Sequence, residues 1–431
     1  MTKAYYFISD LHIGGDEALG VCDYEQELIA FLEDLAGRRE NAELLLIGDI
    51  FGLWEFTDIQ GPEKLNAVMD QFPGIFSALQ KAGETIRVTM LPGNHDYEIA
   101  CYPEFVDLLK SLNICLEQSP AITRKLGQHG IWIEHGNQQD AYNRMRDFGN
   151  PHAQPVGYFI TSSIVSSAGK HSKFGRYNWL KDIQSVYPSE QIPHWIMSNY
   201  FYNEMSPLLR WLILPFLLFS GLEIFVLGGA ALEWFDLTDT NIFLNNRILS
   251  GLGVLGNLVQ IIFIINTFLF LCLLALAVPL YLVWRDFRKA LKRFRIIVDP
   301  SELSSEKEQQ YLDAALRVFE QNPETAVYVY GPTQSPSLRR VGRRAVINTG
   351  TWLKKFDAVS TRLKFLPKVY VPSYCLNYFR MSEAEGRVVI EYSRIDKQPP
   401  KDLSLLQRLL IYGKRRKTEE DIPSRTVLDV A

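Results

Sequence analysis

The chain has 431 residues, 47% of them hydrophobic, and a formal net charge of −4. That length predicts two or three structural units rather than one. The average apolar content does not mark a membrane protein, and the acidic balance excludes general nucleic-acid binding. Five scattered cysteines (Cys22, Cys101, Cys115, Cys272 and Cys375) form no CxxC pair, which predicts a reducing compartment rather than a disulfide framework.

In chain order, Met1–Ala4 runs into the strand-like Tyr5–Ser9 without a signal-peptide pattern, so the first motif-bearing region is expected in the cytoplasm. Tyr24–Leu35 has helical spacing of apolar residues. Leu44–Ile47 reads as a buried strand ending in Gly48-Asp49, and Asn66–Gln80 as one helix. Ile86–Leu91 is a strand ending in Pro92-Gly93-Asn94-His95-Asp96, and Ile131–Glu134 a strand ending in His135-Gly136. Hydrophobic strands that each end in a polar loop predict an α/β sheet with a site at the strand ends. From about Ala141 to Ser206 the pattern turns irregular and aromatic, and residues 151–206 read as an inserted helical lid.

The composition then shifts. Trp211–Leu232 is 22 residues with a single ionisable group, Glu223. At about 1.5 Å per residue such a helix reaches roughly 33 Å, enough to cross a bilayer core. Ile248–Trp284 is a second uncharged run, strongest over Ile261–Trp284. The linker carries Glu233, Asp236, Asp239 and Arg247. Arg210 precedes the first span, and Arg285, Arg288, Lys289, Lys292, Arg293 and Arg295 follow the second. The Lys/Arg excess puts both flanks on the cytoplasmic side of the membrane. A pair of buried core helices is the bland alternative. Glu223, Asn257, Gln260 and Asn266 are expected to pair between the spans or to form an intramembrane site. Gly251-x-Gly253-x-x-Gly256 follows no strand and reads as small-residue helix packing, not a dinucleotide fingerprint.

The α/β pattern resumes with a helix over Ser305–Gln321 and strands over Thr325–Tyr330, Ala345–Asn348 and Arg387–Tyr392. Leu403–Tyr412 has helical spacing and precedes Lys414-Arg415-Arg416-Lys417. It is expected either on an anionic membrane surface or docked on the domain.

Taken together, Asp10-x-His12, Gly48-Asp49, Gly93-Asn94-His95-Asp96 and His135-Gly136 each follow a strand. Hydrolysis of a phosphate ester or pyrophosphate needs a polyanion neutralised and hydroxide generated at neutral pH. Two divalent cations about 3.5–4 Å apart supply both. Carboxylate, imidazole and amide oxygen suit Mn²⁺, Fe or Zn²⁺. Asp49 has two oxygens with which to bridge. His95, beside the ligand Asn94, suits proton transfer, with Asp96 fixing its orientation.

This motif set resembles the calcineurin-like metallophosphoesterase family over residues 3–150 and 290–395. The resemblance implies a four-layer α/β/β/α sandwich with an inserted two-helix transmembrane hairpin. Asp10 and His12 would hold one metal, Asn94 and His135 the other, and Asp49 would bridge; His95 would protonate the leaving group. The two divalent ions are expected to be Mn²⁺ first, with Fe or Zn²⁺ as alternatives and one site weaker. The run His135–Arg144 and the stretch Gly48-Asp49-Ile50-Phe51-x-x-Trp54 look like the bacterial branch related to UDP-2,3-diacylglucosamine pyrophosphatase, which acts on a lipid A precursor. Asn143 and Arg144 in that run are expected to bind substrate.

The family closes its site with Gly-His-x-His, where this chain reads Gly331-Pro332-Thr333-Gln334. Gln334 could ligate through its amide oxygen; Pro332 cannot. Waters, or His152, His171 or His194, could fill the gaps, although each of the three is more readily an ordinary surface or packing histidine. Arg339, Arg340, Arg343 and Arg344 flank the loop, and could receive a phosphate or lipid headgroup or form a solvated hairpin.

The expected division is a metallophosphoesterase domain in two parts, 1–150 and 285–400, with the lid at 151–206, the hairpin at 207–284 and a basic tail at 401–431. The expected activity is hydrolysis of a phosphorylated small molecule or nucleotide-linked lipid at the cytoplasmic face of a bacterial inner membrane. Membrane lipids and a possible homo-oligomeric partner are expected, and nucleic acid is not. The alternative is a membrane-tethered binding or scaffold protein that has lost catalysis.

Overall fold

Alternation of side chains along the apolar runs decides how the layers form. The structure, a computed structural model, describes residues 3–16, 22–38, 40–165, 182–186, 191–238, 242–243, 251–293, 300–333, 335–363, 366–398, 400, 403–413 and 421–429. The chain divides into two compact units, Met1–Glu204 with Pro300–Ala431, and Met205–Asp299.

In the first unit the strands are β1 (Ala4–Ile8), β2 (Ala42–Ile47), β3 (Arg87–Leu91), β4 (Ile114–Leu116), β5 (Ala121–Leu126), β6 (His129–Glu134), β7 (Thr325–Tyr330), β8 (Ser337–Val341), β9 (Arg344–Asn348), β10 (Lys355–Val359), β11 (Val369–Ser373), β12 (Asn377–Ala384), β13 (Arg387–Arg394) and β14 (Arg425–Leu428). A seven-stranded sheet runs β14-β13-β12-β1-β2-β3-β4 and a five-stranded sheet β5-β6-β7-β9-β8, with β10-β11 a separate hairpin. β1 to β4 pair in parallel, and β12 closes antiparallel onto β1.

On β1, Tyr6 and Ile8 face a core built with the helices Glu25–Arg38, Pro62–Gln71, Pro73–Thr85 and Glu104–Ser111. Tyr5 and Phe7 face the second sheet. On β7, Val327 and Val329 meet that same inter-sheet core, while Tyr328 and Tyr330 pack outward on Tyr311, Ala315 and Phe319 of helix Pro300–Gln321. The period-2 reading of each run therefore resolves into helix, sheet, sheet and helix layers.

One expected element is corrected. Asn66–Gln80 is two helices, Pro62–Gln71 and Pro73–Thr85. Pro73 has no N–H to continue the first helix and fits the first position of a new one. The described part of the expected lid contains the helices Val156–Ile160 and Ile192–Asn199. The second packs Trp195 with Tyr370 of the β10-β11 hairpin, and Ser198 donates to the Lys368 carbonyl at 2.7 Å.

In the second unit, the helices are Pro207–Trp234 and Val254–Arg293. Asn266 Nδ2 on the second donates to Ser220 Oγ at 3.1 Å and to Glu223 Oε2 at 3.0 Å on the first. Of the expected polar contacts between the two runs, the Glu223–Asn266 pair forms. Among the described residues, one helical stretch, Val254–Val283, is long and apolar enough to cross a membrane by length and composition. The second helix does not stop at Trp284 but continues to Arg293.

Candidate metal centre

Four strand ends bring the motif residues together. Three of the side chains stand on left-handed backbone: Asp10 at φ 52°, His12 at φ 46° and Asp49 at φ 53°. Such conformations cost about 1–3 kcal/mol each and persist only where the surroundings hold them. Here the hold is backbone pairing between the loops. Asp10 N donates to Gly48 O at 3.2 Å, His12 N to Asp49 O at 2.9 Å and Ile13 N to Ile50 O at 2.9 Å. From the far end of the chain, Thr351 Oγ1 donates to Asp10 O at 2.8 Å. The close approach also requires glycine: a Cβ on Gly93 would lie 2.2 Å from Asp49 Oδ1.

Ligand atoms of Asp10, Asp49 and His135 lie within 4.8 Å of one another, and so do those of His12, Asp49 and His95. Asp49 belongs to both groups. The expected set gave Asp10 and His12 to one metal, Asn94 and His135 to the other, Asp49 to both and proton transfer to His95; the proximity of His95 to His12 and Asp49 was not foreseen. His12 Nε2 nevertheless sits 4.0 Å from Asp10 Oδ1 and 3.7 Å from Asp49 Oδ2. Asn94 Oδ1 is 3.3 Å from His135 Nε2, which is itself 3.3 Å from Asp49 Oδ2. His135 Nδ1 lies 2.9 Å from the Ile47 carbonyl, which fixes its proton there and directs Nε2 at the carboxylate. Ser9 Oγ donates to Asp10 Oδ2 and sits 2.7 Å from Thr349 Oγ1.

The electrostatics are those of a cation site. Burial opposes charge on Asp49, yet His135, His95 and His12 outweigh it and hold the carboxyl well below its usual range. Burial raises Asp10 well above its usual range, with His135 opposing and Asp49 adding. Burial would lower His135, but Asp49 and Asp10 push it up to about 10. Burial and the neighbouring His95 push His12 down to about 4. Two buried carboxyls side by side cannot both keep their charge unless positive charge joins them. His12 Nδ1 is in addition buried without a hydrogen-bond partner. The donor set of imidazoles, carboxylates and one amide oxygen fits a pair of borderline divalent cations.

His95 behaves differently. Its side chain is 19% exposed, against 1% for His135. His95 Nδ1 lies 2.9 Å from Glu55 Oε1, its ring packs on Trp54 at 4.5 Å between centroids, and its backbone N donates to Asp49 Oδ1 at 2.7 Å. Burial would lower it, but Glu55 and then Asp49 push it up to about 9. Asp96 does not orient this ring. Its carboxylate accepts from the backbone N–H groups of Gly93 at 2.6 Å, Ile50 at 2.7 Å and Phe51 at 3.3 Å, tying two loops together. Glu55, fully buried, takes the orienting place that the sequence reading gave to Asp96. Its signal was proximity in sequence to Trp54, in a stretch already singled out.

Of the remaining expected residues, Asn143, Arg339 and Arg340 have partners of their own. Asn143 Nδ2 donates to Asp140 Oδ2 at 3.3 Å, and Arg144 is exposed. Arg339 pairs with Glu308 at 2.8 Å on the outer helix, and Arg340 donates to the Val427 carbonyl of β14 at 2.6 Å. Gly331 N donates to the His135 carbonyl at 2.9 Å, so the loop after β7 does reach the centre, presenting Pro332. Gln334 and His171 lie outside the described residues; His152 and His194 are exposed.

Residues 4–203 match a family model described as calcineurin-like phosphoesterase. Among solved structures, a Vps29 double mutant from Entamoeba histolytica is 8% identical, with a TM-score of 0.28 and coverage of 91% of this chain and 93% of that one. A dimetal phosphatase from Danio rerio is 10% identical, with a TM-score of 0.35 and coverage of 91% and 96%. At these TM-scores neither likeness supports any statement about function. No curated protein matches the chain.

Proposed function

We propose, from the match of residues 4–203 to the calcineurin-like phosphoesterase family model, that the chain is a metal-dependent hydrolase of phosphate esters or pyrophosphates. The observation that carries this reading is Asp49, one buried carboxylate shared by two clusters of ligand atoms. Asp10, His12, Asn94 and His135 would complete the hold on two divalent cations, Mn²⁺ first. When bound, such a pair supplies charge neutralisation and an acidified water.

The chain's own residues do the rest. His135, fixed through its Nδ1, and Asp10, fixed by Ser9, keep their ligand atoms aimed without reorganisation. His95 is the most exposed imidazole of the set and is held protonated at neutral pH by Glu55. It is therefore placed to donate a proton to the departing oxygen. Trp54 covers one face of that ring and restricts water there.

Anchoring through Met205–Asp299 is part of the same proposal. Leu271, Leu276, Leu280 and Val283 are exposed along the candidate span, and a soluble surface rarely presents so continuous an apolar face. Arg285 and Lys289 beyond the span support a cytoplasmic position for the hydrolytic unit. A lipid-linked phosphate fits a membrane-held enzyme. The second reading, a tethered binding protein, is favoured by Pro332, which puts no ligand atom where the loop after β7 reaches His135.

The test is hydrolysis of bis-p-nitrophenyl phosphate by the detergent-purified full chain with and without Mn²⁺. The proposal expects Mn²⁺-dependent turnover that an Asp49→Ala control lacks. Equal rates in both proteins would leave the binding reading in its place.

A further inference from the structure

Helix Leu405–Ile411 opens with a complete capping box between Ser404 and Gln407, so its orientation is set at its first turn. It seats Gln407 and Leu410 on the domain. The opposite face is apolar and bare: Leu405 is 79% exposed, Leu409 69% and Tyr412 73%. These positions follow i, i+4 and i+7, which stacks them in one line. Arg362 N donates to the Leu410 carbonyl at 2.9 Å, bringing a second segment alongside. That segment adds Leu363, 40% exposed, and the Arg362 guanidinium, 5.6 Å over the Tyr412 ring. Arg408 flanks the line on the helix itself. No ion pair to a described residue is recorded for Arg362 or Arg408.

Exposed leucines and an aromatic ring, bordered by arginines that form no ion pair with a described residue, match the order of a phospholipid interface: acyl chains below, anionic headgroups around. An apolar protein partner would account for the leucines but not for the cationic border. In sequence the helix is followed by the basic run Lys414-Arg415-Arg416-Lys417 and then by the acidic Glu419-Glu420-Asp421. We infer that Leu405, Leu409, Tyr412, Leu363, Arg362 and Arg408 form a docking face by which the unit containing the Asp49 centre rests on an anionic phospholipid surface. The inference rests neither on catalysis nor on the apolar hairpin.

The test uses the full chain in nanodiscs of phosphatidylcholine alone and of an equal mixture with phosphatidylglycerol. Tryptic cleavage after Arg408 and within Lys414–Lys417 is followed by mass spectrometry. Each basic side chain at an anionic surface favours the bound state about five-fold, so cleavage should slow about ten-fold or more in the mixed discs. High salt, and the Leu405→Gln/Leu409→Gln variant, should restore it. Both leucines are exposed, so the variant's thermal unfolding should match the parent's. Equal cleavage in the two lipid compositions, or protection that survives the double substitution, would overturn the inference. Protection in detergent that grows with protein concentration would assign the face to a second copy and overturn it equally.

Discussion

The two ends of the first unit contribute to the centre in different ways. The loops after β1, β2, β3 and β6 deliver side chains: Asp10 and His12, Asp49, Asn94 and His95, then His135. The loops after β7 and β9 deliver support. Gly331 ties down the His135 carbonyl, Thr349 sits against Ser9, and Thr351 holds the strained backbone of Asp10. Chemistry and bracing have thus been divided between segments up to 341 residues apart in sequence. The N-terminal half can keep a metal-binding geometry although the C-terminal loop presents a proline.

That division can be broken most severely at its centre. Asp49→Ala removes the carboxylate common to both clusters, and should reduce bound metal and hydrolysis to background in elemental analysis and turnover assays. His95→Asn should leave metal content intact while lowering kcat by roughly 10²–10⁴ on an alkyl phosphate, because one proton donor is lost. Its effect should be smaller with a p-nitrophenolate leaving group, which needs no proton. Pro332→His would add an imidazole to the loop that reaches the His135 carbonyl. If that imidazole serves as a further ligand, metal affinity should rise on the order of ten-fold or more in a competition titration with a chelator.

Glu55→Gln sharpens the role of His95. A general acid works while it holds its proton, so the rate falls as pH rises through its pKa, pushed up to about 9 here mainly by Glu55 against burial. Without that carboxylate the high-pH fall should begin about one unit or more lower, at little change in metal content. The smallest effect is expected of Ser9→Ala. Loss of the hydroxyl that links Asp10 to Thr349 should cost about 1 kcal/mol in urea unfolding.

Much of this centre was legible because its signals are local. A hydrophobic run gives way to Gly-Asp or Gly-Asn-His-Asp within a few residues, and strand polarity then forces the side chains to one edge of the sheets. The four layers were expected only from the resemblance; in the structure alternation builds them, with Val327 in the inter-sheet core and Tyr328 on the outer helix. What escaped depends on distance in space. Glu55 reaches His95 only after two loops converge, and nothing in the order of residues separates it from Asp96 as the ring's partner. Ser9 and Thr349 meet across 340 positions. The arginines of β8 were open to a phosphate or to a solvated hairpin; Arg339 pairs with Glu308 of helix Pro300–Gln321 and Arg340 donates to the Val427 carbonyl of β14. The break at Pro73 was readable and was passed over, because apolar spacing continues across it.

The central claim is that one carboxylate, Asp49, joins two cations. Electron paramagnetic resonance of the metal-stripped full chain titrated with Mn²⁺ tests it most directly. The account predicts uptake of two equivalents, with the isolated-ion signal suppressed by spin coupling as the second binds. A single equivalent, or two uncoupled ions with the same spectrum in Asp49→Ala, would contradict it.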